Sequence, residues 1–181
     1  QVIWTWTDAA RDPSAPLDQF VGYGIIIYVE GTDTVYVTNG RWTPHEQAHL
    51  CITSLELAAE EFALDRARAV IADLGIHTPV DIIQVADNKG ARAVANGLSA
   101  TSPALRVLLQ LRSLRQDRML GTRVTAVWAH REAMEHADAS SKNDEARLRR
   151  NLQTAFGAKI RVAAAGRVTA DVRNLDAAVL A

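Results

Sequence analysis

The first forty residues contain three runs rich in β-branched and aromatic residues, and these runs constrain the fold more than any other feature of the chain. They are VIWTWTD at 2–8, VGYGIIIYVE at 21–30 and TVYVTNG at 34–40. Such residues favour strands, and the GTD that joins the second run to the third is short enough for a hairpin. The N-terminal segment is therefore predicted to form a three-stranded antiparallel meander, with a loop at 8–20 between its first two strands.

After residue 50 the apolar residues recur with a helical period. The pattern predicts a long helix at 53–74, a strand at 80–87, a short helix from Asp87-Asn88 to about Gly97, a longer helix capped by Ser102, a strand at 123–130 and a helix at 143–156. Strands joined through helices pair in parallel. The predicted fold class is α/β, with a mixed five-stranded sheet of three antiparallel and two parallel strands flanked by helices.

Composition limits the classes of protein that this chain can belong to. Its 181 residues, 48% hydrophobic and 23% charged, suit a globular core at 1–142, a terminal helix at 143–157 and an extension of uncertain structure at 158–181. The single cysteine, Cys51, excludes a disulfide framework and favours an intracellular protein. No apolar run is long enough to span a membrane, so no membrane partner is expected. A net charge of −1 argues against a strongly basic nucleic-acid binder.

One short motif points to a different chemistry. His45-Glu46-Gln47-Ala48-His49 matches the H-E-x-x-H signature of zinc peptidases. That signature needs two histidines on one helix, a water-activating glutamate and a third metal ligand. Pro44 directly precedes the motif and no other histidine is placed to serve as third ligand, so a pair of surface histidines on a loop or first helical turn is the alternative interpretation.

Four acidic residues fall at element ends, where side chains from different elements can meet. Asp8 ends the first strand, Glu56 lies in the first turn of the long helix, Asp87 ends the fourth strand and Asp138 precedes the terminal helix. Each also has a structural alternative: Glu56 in a capping box with Thr53, Asp87 and Asp138 as N-caps, and Asp8 as a turn residue. Only a shared site explains why all four are expected at one edge of the sheet.

The short sequence segments around these acids resemble motifs of the ribonuclease H family. They are TDAARD, GYG at 22–24, SLELAAEEFAL, VADNKGARAVANG and AHREAMEHADASSK, in the family's order over residues 2–142. The last is similar to the closing motif of retroelement ribonuclease H domains. The resemblance as a whole is strongest to the domain of DIRS-like retrotransposons, which follows a reverse transcriptase. The chain departs from the family pattern at Ala10, Met134 and Ser140-Ser141-Lys142, and none of these departures removes a carboxylate.

The resemblance implies a metal-dependent endonuclease that hydrolyses the RNA strand of RNA/DNA hybrids. It implies two Mg²⁺ ions, with Mn²⁺ as a substitute, and a reverse transcriptase domain in the same polyprotein as a partner. Asp8 would bridge both ions, Glu56 and Asp87 would bind one, and Asp138 would bind the other. His130, or alternatively His136, would assist catalysis. Asn88 and Arg131 would contact the substrate.

Two further interpretations remain open from the sequence. The same fold could serve as a non-catalytic assembly or binding domain. A partly basic helix face could touch phosphates or could simply be solvated; it comprises Arg106, Arg112, Arg115 and Arg118. Trp4, Trp6 and Trp128 lie on predicted strands and are expected in the core rather than as base-stacking platforms. Because the net charge is −1 and only one helix face is partly basic, hybrid affinity is expected to be weak, with a shallow dependence on salt.

Overall fold

The computed structural model describes residues 1–96, 102–117, 121–168 and 175 of the chain. The strands are β1 (Val2–Ala9), β2 (Gly22–Val29), β3 (Thr34–Arg41), β4 (Val80–Ala86), β5 (Thr122–Trp128) and β6 (Arg161–Ala164). The helices are α1 (Pro44–His49), α2 (Ile52–Asp73), α3 (Lys89–Ala95), α4 (Pro103–Asp117), α5 (Glu135–Ser141) and α6 (Glu145–Phe156), with a 3-10 turn at Arg131–Met134.

The strands form one mixed sheet in the order β5-β4-β1-β2-β3-β6. β1, β2 and β3 are the antiparallel meander that the sequence predicts. β4 is parallel to β1, and β5 is parallel to β4. The prediction of five strands is wrong, because within the described residues the sheet has six. The additional strand, β6, comes from the C-terminal extension and pairs in parallel with β3.

The sheet carries a core on each face because neighbouring residues of a strand point to opposite sides. In β1, Ile3 packs in the larger core, while Trp4 and Trp6 pack in the smaller one. The larger core contains apolar residues of α2, α3 and α4, and the smaller one contains residues of α5 and α6. Trp6 meets Phe156 edge to face, with ring centroids 5.4 Å apart. Trp4 and Trp6 are therefore core residues, as predicted.

Arg112 is buried, which corrects the prediction that it belongs to an exposed basic face of α4. Its side chain is 2% exposed and donates to Glu61 at 3.1 Å and to the side-chain oxygen of Gln84 at 2.6 Å. Glu60 lies 3.6 Å away. Burial raises the pKa of Glu60 to about 7, although the charge of Arg112 opposes the increase. This cluster joins α4 to α2 and β4 inside the protein.

Of the other three arginines in the predicted basic face, the structure describes the side chain of one. Arg106 is exposed, as that prediction requires. Arg118 and the side chain of Arg115 lie outside the described part of the structure.

Among the helices that the structure describes, none combines the length and apolar character needed to cross a membrane.

Candidate metal centre

Three of the four predicted carboxylates meet at one edge of the sheet. Parallel strands β1 and β4 are in register up to Trp6 and Val85, so Asp8 and Asp87 follow two residues later at the same edge. Glu56 reaches this point from the second turn of α2 rather than from its first turn. Each of the three carboxylates offers an oxygen within 4.8 Å of the others. Among the described residues this is the one group of acids, histidines or cysteines with such spacing.

Glu56 is the most constrained member of this triad. Its side chain is almost fully buried, and its Oε2 atom has no hydrogen-bond partner within the described structure. Burial raises the pKa of Glu56 well above its ordinary value, and the negative charges of Asp8 and Asp87 raise it further. The alternative interpretation of Glu56, in a capping box with Thr53, is wrong, because α2 starts at Ile52 and its N-cap residue is Cys51.

Asp8 is held from the opposite side by α5. Its Oδ2 atom accepts a hydrogen bond from the Ser141 hydroxyl at 2.5 Å. Burial raises the pKa of Asp8, the Ser141 hydrogen bond lowers it, and the charges of Asp138 and Asp87 raise it. On balance the pKa of Asp8 is raised, because burial and the two neighbouring carboxylates outweigh the hydrogen bond from Ser141.

A glycine in β2 allows α5 to lie this close to Asp8. Gly24 pairs with Asp8 across the meander. A Cβ atom at Gly24 would lie 2.5 Å from the backbone nitrogen of Ser141 and 2.6 Å from the backbone oxygen of Ala137. Any larger side chain would therefore push α5 away from the sheet, which explains the glycine at this end of the second strand.

Asp138 lines the same cleft but is not part of the triad. It lies inside α5 rather than before a terminal helix, so the interpretation as an N-cap is wrong. Its carboxylate contacts Lys142 at 2.8 Å, Arg147 at 2.6 Å and Arg131 at 3.5 Å. Burial alone would raise the pKa of Asp138, but the hydrogen bonds from Lys142 and Arg147 outweigh it and hold that pKa below its ordinary value.

Of the other predicted site residues, two line the cleft and two histidines lie outside its described lining. Asn88 and Arg131 both line the cleft. The side chain of Asn88 also caps α3, whereas Asp87, the alternative N-cap, does not. His130 is exposed, packs its ring 4.5 Å from that of Trp128 and is absent from the described lining of the cleft. His136 is buried against Trp6, and this burial lowers its pKa to about 4.

Trp128 supports the site through a hydrogen bond to the backbone of Asp87. Its indole N–H donates to the backbone oxygen of Asp87 at 2.9 Å. The Lys89 ammonium lies 4.7 Å above its ring. Trp128 therefore fixes the turn that carries Asp87, which refines the expectation that it is a core residue.

The resulting cleft is open and polar, with a volume of about 270 Å³. Its lining comprises Asp8, Ala9, Ala10, Ile52, Glu56, Asp87, Asn88, Arg131, Asp138 and Lys142. Hard divalent cations such as Mg²⁺ prefer oxygen ligands. The triad offers such oxygens, and the partnerless oxygen of buried Glu56 and the mutual repulsion of the three carboxylates are both relieved by a bound cation. The triad therefore fits a divalent metal ion.

Sequence reasoning missed two residues that shape this cleft. Ser141 binds Asp8, and Lys142 binds Asp138. Both belong to the segment that departs from the family pattern at Ser140-Ser141-Lys142. The spacing of four residues between Asp138 and Lys142 is a signal that could have been used, since residues i and i+4 of a helix are neighbours.

The H-E-x-x-H motif does not form a zinc peptidase site. It lies in the six-residue helix α1, where the rings of His45 and His49 are 4.2 Å apart. Glu46 is buried and accepts from the backbone N–H of Thr43 at 2.9 Å, in a capping box. Within the described residues no third acid, cysteine or histidine completes a metal group with these histidines. The motif is a helix start with two exposed histidines.

Comparison with solved structures identifies the fold. The chain aligns with the N-terminal ribonuclease H domain of a Mycobacterium tuberculosis protein at a TM-score of 0.54 and 16% identity, covering 85% of this chain and 98% of that one. It aligns with a ribonuclease H1 isolated from compost by metagenomics at 0.53 and 20%, covering 80% and 96%. Another structure, of that ribonuclease H1 in complex with an RNA/DNA hybrid, aligns at 0.53 and 16%, covering 76% and 92%.

Sequence comparisons give a different result. No protein-family model matches the chain, and no curated protein sequence is significantly similar to it. At these low identities the structural similarity shows a ribonuclease H-like fold.

Proposed function

We propose that this protein is a metal-dependent endonuclease that hydrolyses the RNA strand of RNA/DNA hybrids. The observation that carries the proposal is the triad of Asp8, Glu56 and Asp87, whose oxygens converge within 4.8 Å in an open cleft of a ribonuclease H-like fold. The fold alone would also suit a binding domain. Within the described residues none of these three carboxylates forms an ion pair. Such a group is costly in a surface that only binds, whereas carboxylates are the ligands that a catalytic cation needs.

The chain's own residues prepare the cleft for this reaction. Asp8, Glu56 and Asp87 would hold the ion, which we propose is Mg²⁺, with Mn²⁺ as a substitute. When bound, such an ion lowers the pKa of water and neutralises charge on a phosphodiester. Ser141 orients Asp8 through its hydroxyl, and Trp128 fixes the turn of Asp87. Arg131 and Asn88 line the cleft, and we propose that they contact the RNA strand.

A second ion does not fit the arrangement of Asp138 described above. The two-ion mechanism implied by the resemblance requires Asp138 as a ligand, yet both of its carboxylate oxygens are already paired with cationic side chains. We therefore propose the ion at the triad as the metal centre of the protein. We assign His130 no step in the reaction, because it is exposed and packs against Trp128 outside the described lining of the cleft.

A retroelement origin remains part of the proposal. The resemblance of residues 2–142 to the ribonuclease H domain of DIRS-like retrotransposons supports a reverse transcriptase domain in the same polyprotein as the partner. The charge of the chain supports the same partnership, because a net charge of −1 gives the chain no overall electrostatic attraction for a polyanionic duplex. A neighbouring hybrid-binding domain would then hold the duplex while this cleft contacts one phosphate of the RNA strand.

Substrate preference provides the test of this function. With Mg²⁺ or Mn²⁺ we expect cleavage of the labelled RNA strand of a hybrid, and no cleavage of its DNA strand or of a DNA duplex of the same sequence. The physical reason is that 2′-hydroxyls in the wide minor groove distinguish RNA from DNA. Denaturing gels with each strand labelled in turn make the measurement. Equal cutting of the DNA duplex would contradict the proposed substrate, and hybrid binding without cleavage would favour the binding-domain alternative.

A further inference from the structure

Asp138 is surrounded by cations on both of its carboxylate oxygens. Lys142 Nζ lies 2.8 Å from Oδ1 and 3.0 Å from Oδ2. Arg147 lies 2.6 Å from Oδ2, and Arg131 lies 3.5 Å from Oδ1. A carboxylate offers about four lone-pair directions, and these contacts use them. Asp138 is therefore a partner of side-chain cations rather than a vacant ligand.

Lys142 is the cation of this group that is best placed to act in the cleft. It lines the cleft with the triad, whereas Arg147 is fixed from behind by a second ion pair, at 2.6 Å from Glu135. Lys142 is the residue at which α5 ends, directly after Ser141, which binds Asp8. The end of α5 therefore places a hydroxyl on Asp8 and an ammonium group on Asp138. Half of the Lys142 side chain is still exposed to solvent, so the ammonium remains accessible to an anionic substrate.

We propose that the Lys142 ammonium occupies the place of a second metal ion in this cleft and binds a phosphate oxygen of the RNA strand. Asp138 is then a positioning residue, which holds Lys142 beside the triad. The phosphate would be bound between the metal ion at Asp8, Glu56 and Asp87 on one side and Lys142 on the other. This inference rests on the proposed function for its substrate, but its claim about metal stoichiometry does not depend on cleavage.

Counting bound Mn²⁺ ions in the absence of nucleic acid tests the inference without an activity assay. By calorimetric titration we expect one ion per chain for the wild type. Lys142→Met leaves Oδ1 of Asp138 with only the 3.5 Å contact of exposed Arg131, so we expect this variant to bind a second ion. The matched control is Lys159→Met, which removes the same charge at an exposed site outside the cleft lining and should bind one ion. Two ions on the wild type, or one on Lys142→Met, would overturn the proposal.

The phosphate contact has its own readout in the steady-state kinetics. Hydrogen bonds to charged groups are worth enough for Lys142→Met to raise the KM for a hybrid about tenfold. Lys142→Arg keeps the charge and should restore most of that loss, while thermal melts of both variants should match the wild type. A KM for Lys142→Met within about twofold of the wild type would exclude the contact. If the wild type cleaves no hybrid, the proposed function fails. The number of Mn²⁺ ions bound per chain by the wild type and the variants then tests by itself whether the Lys142 ammonium occupies the place of a second ion.

Discussion

Asp87→Asn is expected to slow hydrolysis of the RNA strand by at least about a thousandfold, because metal ions contribute several kcal/mol of transition-state stabilisation. Asp87 is one of three oxygen donors within 4.8 Å, so its loss removes a third of the ligands that the structure provides. An asparagine keeps the size of the side chain and one carbonyl oxygen but loses the charge. Initial rates on a hybrid at saturating Mn²⁺ give the measurement.

The same substitution should leave the fold intact. The charge of Asp87 raises the pKa of both Asp8 and Glu56, which means that it destabilises their charged forms in the metal-free protein. Removing that charge should keep the melting temperature equal to or above that of the wild type without metal, and should abolish the stabilisation that Mn²⁺ gives.

Asp81→Asn is the matched control for this prediction. It makes the same chemical change near the opposite end of β4, where Asp81 forms an exposed ion pair with Arg123. Its activity should remain close to that of the wild type. Full activity in Asp87→Asn, or equal losses in both variants, would remove Asp87 from the metal centre.

Arg112→Met is expected to lower the free energy of unfolding by about 3–5 kcal/mol, the usual cost of breaking a buried ion pair by removing one partner. Arg112 is 2% exposed and is the cation between Glu60 and Glu61 in the described cluster. Methionine fills a similar volume but leaves the glutamates without that charge. Urea denaturation of the variant and the wild type gives the difference.

Two comparisons make this second prediction specific. Arg106→Met changes an exposed arginine on the same helix and should stay within about 0.5 kcal/mol of the wild type. A loss below about 1 kcal/mol in Arg112→Met would show that the cluster is not what joins α4 to α2 and β4.

The pH dependence of stability has a definite sign for this cluster. The pKa of Glu60 is about 7 in the folded protein and 4.5 ordinarily, so the folded state binds more protons between these values. Its contribution to stability therefore falls as pH rises from about 4.5 to about 7. Without Arg112 this penalty should be larger, so the loss in Arg112→Met should be greater at pH 8 than at pH 5.

Some features of the fold and the site could be predicted from short stretches of sequence, because they depend on the ends of individual helices and strands. Asp8 and Asp87 could be predicted to meet because Asp8 lies at the end of β1, Asp87 directly follows β4, and β1 and β4 are parallel. The N-cap role of Ser102 also follows from local sequence, and the structure shows its hydroxyl accepting from Leu105 at 3.2 Å. Strand β6 could not be found this way, because it is four residues long and acquires its partner only when the chain returns to β3.

The environment of Asp138 and the burial of Arg112 depend on contacts between distant parts of the chain. Arg147 reaches Asp138 from α6, and Arg112 reaches Gln84 from α4. A helical wheel cannot distinguish a buried arginine from a solvated one when its partners lie on another element. The capping box illustrates a local limit: the T-x-x-E pattern occurs at 43–46 and at 53–56, and only Thr43 and Glu46 form the box in the structure.

The most direct test of a metal-dependent nuclease site is the initial rate of RNA-strand cleavage as a function of Mn²⁺ concentration. We predict no cleavage in a chelator, because the proposed reaction needs a cation at Asp8, Glu56 and Asp87 to lower the pKa of water and to neutralise charge on the phosphodiester. The rate should then rise to saturation as Mn²⁺ fills the triad. Cleavage that persists unchanged in the chelator, or a hybrid that stays intact at every Mn²⁺ concentration, would contradict this function.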